Sequence, residues 1–306
     1  MPQRAASHVL MIEPVGFGFN PETAESNAFQ HDLAAAEVAR LGRLALEQHR
    51  AFRAALVASG VCITVTRSRA DTPDAAFCNN WFSTHRPADP ELPRTLVTYP
   101  MLAANRRTER RRDLIEMLRV AYPRTLDLSS YERSGLFLEG TGSLCLDDDA
   151  MVAYAALSPR TERSLAEQWA GQLEYRLIAF TATDAAGVPY YHTNVMMFLG
   201  HHLAIVCLES IPDPAERVAV NGSLRDSGYE VLEISREQVL HFCGNGLALL
   251  NDRGDPLFAM SSAAYHGFTA EQRQALERRA TVVHTDLSAF ETLGGGSARC
   301  LLGELI

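Results

Sequence analysis

"HFCGNGLALLNDRGDPLFAMSSAAYHGFTAEQRQALERRATVVHTDL", residues 241–287, carries two strand-length apolar runs, a turn, a helix and a third strand in one stretch. HFCGNGLALL and LFAMSSAAY flank the turn NDRGD, whose Asn, Asp and Gly suit a chain reversal. TAEQRQALERRA follows with a Thr in the cap position, Glu271 in the first turn and helical spacing of its apolar residues. TVVHTDL then closes the unit as a strand. A unit of this size cannot cover its own apolar faces, so it needs copies of itself as neighbours.

The copies are present. Residues 137–180 read FLEGTGSLCL, DDDA, MVAYAALS, the helix TERSLAEQWAGQL and the strand YRLIAF. Residues 191–234 repeat the order from YHTNVMMFLG to YEVLEI, and residues 77–128 hold a longer version. A further unit starts at HVLMIEP, carries a helix over 31–59 and ends on VCITV, but has no first strand of its own. Five strand–turn–strand–helix–strand (ββαβ) units predict an α/β fold, a five-bladed ring. The apolar tail after Cys300 in GGGSARCLLGELI is placed to supply the missing strand and close that ring.

One polar residue stands at the start of each unit's first strand: Asn80, Glu139, His192, Asn245 and Cys300, recurring every 53 to 59 residues. Five-fold pseudosymmetry aims such positions at one axis. A thiol, an imidazole and a carboxylate would then meet: a nucleophile, a proton shuttle and an acceptor for N–H groups. That set suits attack on a planar carbon bearing nitrogens, such as a guanidinium or a urea. Each residue also has a plainer reading. Asn245 in GNG reads most simply as a turn former, His192 as a strand-end histidine satisfied by backbone, and NRRTERRRDLIEML as a solvated basic helix start.

The bulk numbers narrow the classes. With 306 residues, a net charge of −9 and 47% apolar residues, the chain can bury a large core, and it lacks the basic balance of a nucleic-acid binder. No linker or composition break divides it, so a single catalytic domain over 1–306 is expected. The apolar run before Glu13 is only four residues long, and no segment approaches the roughly 20 apolar residues of a membrane span. A cytoplasmic protein with no membrane partner is expected. The six cysteines are widely spaced without a C-x-x-C pair, so neither a zinc site nor a disulfide framework is read, and no cofactor motif is complete.

TPDAAFCNN, ANRRTERR, FLEGTGS, YHTNV and GGGSARC stand in the order found in the guanidino-modifying (pentein) superfamily, which the chain resembles over essentially its whole length. That superfamily includes arginine deiminases, dimethylarginine dimethylaminohydrolases and amidinotransferases. EPVGFGFNPETAESNAFQ, NNWFSTH and YPMLAANRRTERR are similar, more narrowly, to the bacterial citrulline utilization hydrolases. The resemblance implies a five-bladed β/α propeller with Cys300 as nucleophile, His192 as general acid and base, and Glu139 holding the substrate's nitrogens. It implies that Arg106 grips an α-carboxylate, with Arg160 a second candidate, and that Asp74 is a carboxylate near the reactive group. It implies no metal and no cofactor, and a small amino-acid substrate as partner; a homodimer is left open.

The departures carry the substrate reading. Arginine-processing members have Asp where this chain has Asn80, beside Asn79, and deiminases have Asp where it has Asn194. An amide donates as well as accepts, so these positions suit the carbonyl of a neutral ureido group, whereas buried carboxylates without a cation are costly. Citrulline is therefore the leading expected substrate. Arginine or dimethylarginine hydrolysis, amidine transfer to an amine, and a ring without catalysis are the rival readings. A neutral substrate cannot help ionise the thiol, so His192 or Arg299 is expected to assist Cys300.

Overall fold

HVLMIE becomes a strand because five of its six residues are buried in succession, the pattern of a strand covered on both faces. It is β1 (His8–Glu13) in the computed structural model, which describes residues 5–87 and 91–306. The helix Ala35–Ala58 follows, burying Leu41, Ala45, His49, Phe52 and Leu56 at helical spacing, and β2 (Cys62–Arg67) returns parallel to β1. Next, β3 (Phe82–His85) pairs antiparallel with β4 (Thr95–Thr98), and the helix Arg112–Arg119 leads to β5 (Arg124–Asp127), parallel to β4.

Three more units repeat that path. One holds β6 (Cys145–Asp147), β7 (Val152–Ala156), the helix Arg163–Leu173 and β8 (Arg176–Phe180). The next holds β9 (Met197–Gly200), β10 (Leu203–Val206), the helix Pro214–Asp226 and β11 (Glu230–Glu233). The last holds β12 (Leu247–Leu250), β13 (Pro256–Ser261), the helix Ala270–Arg279 and β14 (Thr281–Thr285). Thr269 caps its helix as expected: its Oγ1 accepts from Gln272 N–H, and the Gln272 side chain accepts from Thr269 N–H in return.

The first unit lacks an inner strand until β15 (Gly303–Glu304) pairs antiparallel with β1. Each of the five sheets then has the same make-up, an inner strand antiparallel to the middle one and an outer strand parallel to it. The inner strands β15, β3, β6, β9 and β12 surround one axis, giving the five-bladed β/α propeller that the repeat predicts. Closure is apolar as well as hydrogen-bonded. Val9 and Met11 of β1 share one cluster with Leu247 and Leu249 of β12, Phe290 and Leu302. The Thr84 hydroxyl, buried in β3, donates to Glu304 C=O at 2.8 Å and accepts from Ile306 N–H at 3.0 Å, clasping the last strand to the second unit.

Three local readings change. LFAMSSAAY is not strand throughout: the Ser261 hydroxyl accepts from Ala264 N–H and caps a short helix, Ser262–Gly267. YHTNVMMFLG opens with a 3-10 turn at Thr193–Val195 before β9 starts. The basic run is a 3-10 segment over Ala104–Glu109 with Arg106 fully buried, not a solvated face, because Glu109 three residues on supplies its counter-charge. Among the described residues no helix is long and apolar enough to cross a membrane.

Replacing Thr84 by Val keeps the side-chain shape and removes both clasp bonds. A buried group left unpaired costs about 1–3 kcal/mol, so urea unfolding of Thr84→Val should show a loss of that order. An unchanged midpoint would mean the clasp does not hold the ring.

Candidate active site

Each of the five ring positions sits in or beside a tight turn that immediately precedes an inner strand. Asn80 ends the turn Cys78–Asn80, Glu139 caps the turn Gly140–Ser143, and His192 caps Thr193–Val195. Asn245 precedes β12, and Cys300 lies in the turn Ala298–Leu301 before β15. The turns, rather than the strands themselves, point these side chains along the axis. The convergence expected from the repeat is present: His192 Nε2 meets Glu139 Oε2 at 2.9 Å, and Asn245 Nδ2 lies 3.4 Å from Cys300 Sγ.

Close approach explains two glycines. A Cβ on Gly142 would sit 2.6 Å from Asn80 Nδ2 and 2.7 Å from the His192 ring, so only glycine lets those two groups face each other. Gly295, at φ +59°, takes the left-handed turn that delivers the segment before Cys300, and its Cβ would strike the Asn27 side chain. Cys300 itself is a free thiol, 3% exposed. Its sulfur is surrounded by amides: Asn245 Nδ2, and Asn194 Nδ2 at 3.6 Å. Arg299, expected to assist it, is turned away, because its guanidinium donates to Leu302 C=O at 2.8 Å and to Glu304 at 2.7 Å.

Glu139 is fully buried. Burial pushes its carboxyl up, but Arg160 at 3.5 Å, the His192 contact and Arg106 outweigh that and hold it down at about 2. His192 is driven the other way. Burial dominates, Arg160 and Arg106 add to it, and Glu139 offsets only part, leaving the imidazole at about 4 and so neutral near pH 7. Arg160 is thus the standing cation beside Glu139. An ionised carboxylate on Nε2 fixes the tautomer: Nε2 carries the proton, and Nδ1 is the free base. Nδ1 has no partner. Glu139, expected against substrate nitrogens, already receives Leu102 N–H on Oε1 at 3.0 Å and His192 with Arg160 on Oε2, so here it orients the imidazole.

Arg106 is the inward arginine; Arg107 lies partly exposed against Glu132. Arg106 binds Glu109 through two bonds of 2.9 Å and donates from NH1 to Asn80 Oδ1 at 2.8 Å and from NH2 to Phe77 C=O at 3.2 Å. A guanidinium only donates, so Asn80 must turn its oxygen to Arg106 and its Nδ2 away, where it meets Asn79 Oδ1 at 3.0 Å. Asp74 lies 4.0 Å from Arg106 and accepts from Asn20 Nδ2 and Thr23 Oγ1 on one oxygen only. Arg160 stacks 5.1 Å over the Tyr191 ring and ties Thr23 C=O and Ser26 Oγ.

Cys300, His192, Asn80, Asp74, Arg106 and Arg160 therefore line one cleft, together with Thr23, Asn27 and Tyr191. Asn79 stands behind Asn80, and Asn194 lies on the far side of the sulfur. Asp74 Oδ1, Asn79 Nδ2, His192 Nδ1 and Asn194 Oδ1 are buried polar atoms without partners. Of these, Asp74 and His192 line the cleft itself, as groups held for a ligand. Among the described residues no cluster of His, Cys, Asp and Glu could hold a metal ion. Sequence reasoning misjudged Asn245, whose turn role hid its contact with sulfur, and gave Glu109 no part, although the spacing Arg-x-x-Glu was there to read. Thr23 and Asn27 had no signal, since their place depends on how the segment after β1 folds back.

Removing the amide on the sulfur tests its part: Asn245→Ala should slow alkylation of Cys300 by iodoacetamide at fixed pH and lower kcat, by roughly 10²-fold if the amide acts like an oxyanion-hole donor. Acid stability offers a second check. His49, His85 and His192 are buried and held down at about 4, 3 and 4, from 6.5 when unfolded, chiefly by burial. Between those values the unfolded chain binds protons that the folded chain refuses, so stability must fall as pH drops from 6.5 towards 4. Urea midpoints that stay level between pH 7 and 5 would contradict this.

Three solved structures share this fold. The N-terminal domain of ArgZ, an arginine dihydrolase of cyanobacteria, in a cysteine-to-serine variant bound to substrate, is 16% identical with a TM-score of 0.71, covering 97% of each chain. AgrE, in a cysteine-to-alanine variant with L-arginine, is 16% identical at 0.72, covering 98% of this chain and 40% of its own. A histidine-to-glycine variant of dimethylarginine dimethylaminohydrolase, in an adduct with S-methyl-L-thiocitrulline, is 16% identical at 0.66, covering 98% of this chain and 100% of its own. None of the curated proteins compared matches the chain. The family model described as "N,N dimethylarginine dimethylhydrolase, eukaryotic" matches residues 13–306. The chain belongs to the dimethylarginine dimethylaminohydrolase family of the pentein superfamily, cysteine hydrolases acting on linear C–N bonds.

Proposed function

We propose that the chain hydrolyses free citrulline to ornithine, ammonia and carbon dioxide through a covalent adduct on Cys300. The observation that carries this is the fixed polarity of Asn80. Arg106 claims its oxygen, so the amide offers N–H, and Asn79 Nδ2 behind it is a second donor without a partner. A ureido carbonyl accepts from such groups; a guanidinium, which only donates, cannot. Covalent intermediates held by structural neighbours agree with a thiol mechanism: ArgZ is known with one, and dimethylarginine dimethylaminohydrolase as an adduct.

The chemistry runs in two halves. His192 Nδ1 takes the Cys300 proton, and Glu139 stabilises the imidazolium through Nε2–H. The thiolate attacks the ureido carbon, and the charge on the carbonyl oxygen is met by amide N–H from Asn80. The imidazolium gives its proton to the terminal nitrogen, the C–N bond breaks, and ammonia leaves an S-thiocarbamate on Cys300. Neutral His192 then deprotonates water, which attacks the same carbon; the C–S bond breaks and the sulfur regains its proton. The product carbamate falls apart to carbon dioxide and ornithine. In the same cleft wall, the unpartnered Asp74 oxygen suits an α-ammonium, and Arg160 suits an α-carboxylate.

A guanidino substrate is the second reading, favoured by Asp74 and ionised Glu139 beside the cleft and by the arginine bound in AgrE. Purified chain given each compound separates the two. Citrulline should yield ornithine and ammonia in equal amounts, with arginine turned over at least ~10-fold more slowly, a gap of about 1.4 kcal/mol. Asn80→Asp should narrow that gap. Citrulline building up from arginine would overturn the assignment, and ornithine with two ammonia from arginine would make the chain a dihydrolase.

A further inference from the structure

Tyr191 immediately precedes His192, yet its hydroxyl reaches the turn that carries the thiol. The phenol O–H donates to Gly295 C=O, at the left-handed residue before Cys300. The same ring is tilted against His192 with centroids 4.7 Å apart, and the Arg160 guanidinium stands 5.1 Å over it. Its main chain is held as well, because Tyr191 C=O accepts from Ser158 Oγ at 2.8 Å. Tyr191 is buried and lines the cleft. Burial holds the phenol well above its ordinary value, so it keeps its proton and remains a donor. A second bridge lies on the other side of His192. There Asn194 C=O accepts from Asn245 Nδ2 at 2.7 Å, and Asn245 Oδ1 accepts from Arg299 N–H at 3.1 Å. The thiol's turn is thus tied at Gly295 and at Arg299 to the two flanks of the histidine.

We propose that Tyr191 is a positioning residue whose hydroxyl holds the Cys300 thiol at its working distance from the His192 imidazole. The two groups belong to blades that share no sheet, so no strand ladder sets that distance for them. A segment tied at one point pivots about it, and a second tie removes the pivot. Nearby bonds hold each side separately: Asn27 Nδ2 donates to Gly294 C=O at 3.2 Å, and Ser297 Oγ donates to Glu291 at 2.7 Å. Neither starts from the stretch that carries the imidazole. The role accounts for a tyrosine at this place. Phenylalanine would keep the ring that Arg160 and His192 pack against, and only the hydroxyl reaches the Gly295 carbonyl. Asn245 also lies 3.4 Å from the sulfur, so the tyrosine hydroxyl is the bridge whose removal leaves the sulfur's amide contacts in place.

The role rests on the Cys300–His192 pairing of the proposed mechanism, and its test needs no substrate. Alkylation by iodoacetamide is timed by mass spectrometry on the peptide that carries Cys300, since the exposed Cys62 also reacts. Tyr191→Phe should slow the reaction about 10-fold while His192 is present, and less than ~2-fold in a His192→Ala background, because neighbours that act through one contact are not additive. A tyrosine that only stabilised the fold would slow both backgrounds alike. An unchanged rate in Tyr191→Phe, or an equal fall in both backgrounds, overturns the role. His192→Ala that leaves the alkylation of Cys300 unchanged defeats the pairing and the role together. A coupled fall in a chain that leaves citrulline intact supports the role and defeats only the substrate reading.

Discussion

Two residues of antiparallel pairing, β15 on β1, hold the cleft's arrangement together. Cys300 stands three residues before that strand, and the other four ring positions lie about 55 to 220 residues earlier in the chain. Without the closing strand the first sheet loses its inner edge, and the thiol loses its distance to His192. A short strand can bear this because the apolar cluster around Val9, Leu249 and Leu302 buries the same junction. Burial contributes the energy, and the ladder and the Thr84 clasp set the register.

Within the ring, charge is organised around one buried carboxylate. Glu139 stays ionised because Arg160 lies beside it, and it in turn makes His192 a base with a defined tautomer. Arg106 does the parallel task on the other wall, where its donors decide which end of Asn80 the cleft presents. Neither arginine is replaceable by lysine on this account, since each satisfies several acceptors in a fixed plane. The site is thus two cation-anchored walls with the Cys300 thiol and a neutral imidazole between them.

Much of this was legible in the residues. Strand–turn–strand–helix–strand order gave the five units, and equal spacing of Asn80, Glu139, His192, Asn245 and Cys300 gave the axis, because both follow from local patterns repeated along the chain. What the residues hid was direction. Asn245 is a turn former and a thiol contact at once, and composition shows only the first. Arg299, adjacent to Cys300 in sequence, faces Glu304 because neighbours in a 3-10 turn point to different sides. The run around Arg106 read by itself as a solvated face, and only the resemblance placed Arg106 in the site, because its partners, Asn80 and the carbonyl of Phe77, are contributed by a distant stretch.

The segment from Asn20 to His31 lies across the cleft mouth, tied to Asp74, Arg160, Gly294 and Thr292. It also contributes Thr23 and Asn27 to the cleft wall. With the segment in this place the cleft is narrow, about 10 Å³, and two of its wall residues belong to the segment. Ligand fit is consequently coupled to the local stability of this one stretch, since any loosening of its ties to Asp74, Arg160 and Gly294 displaces two side chains of the wall.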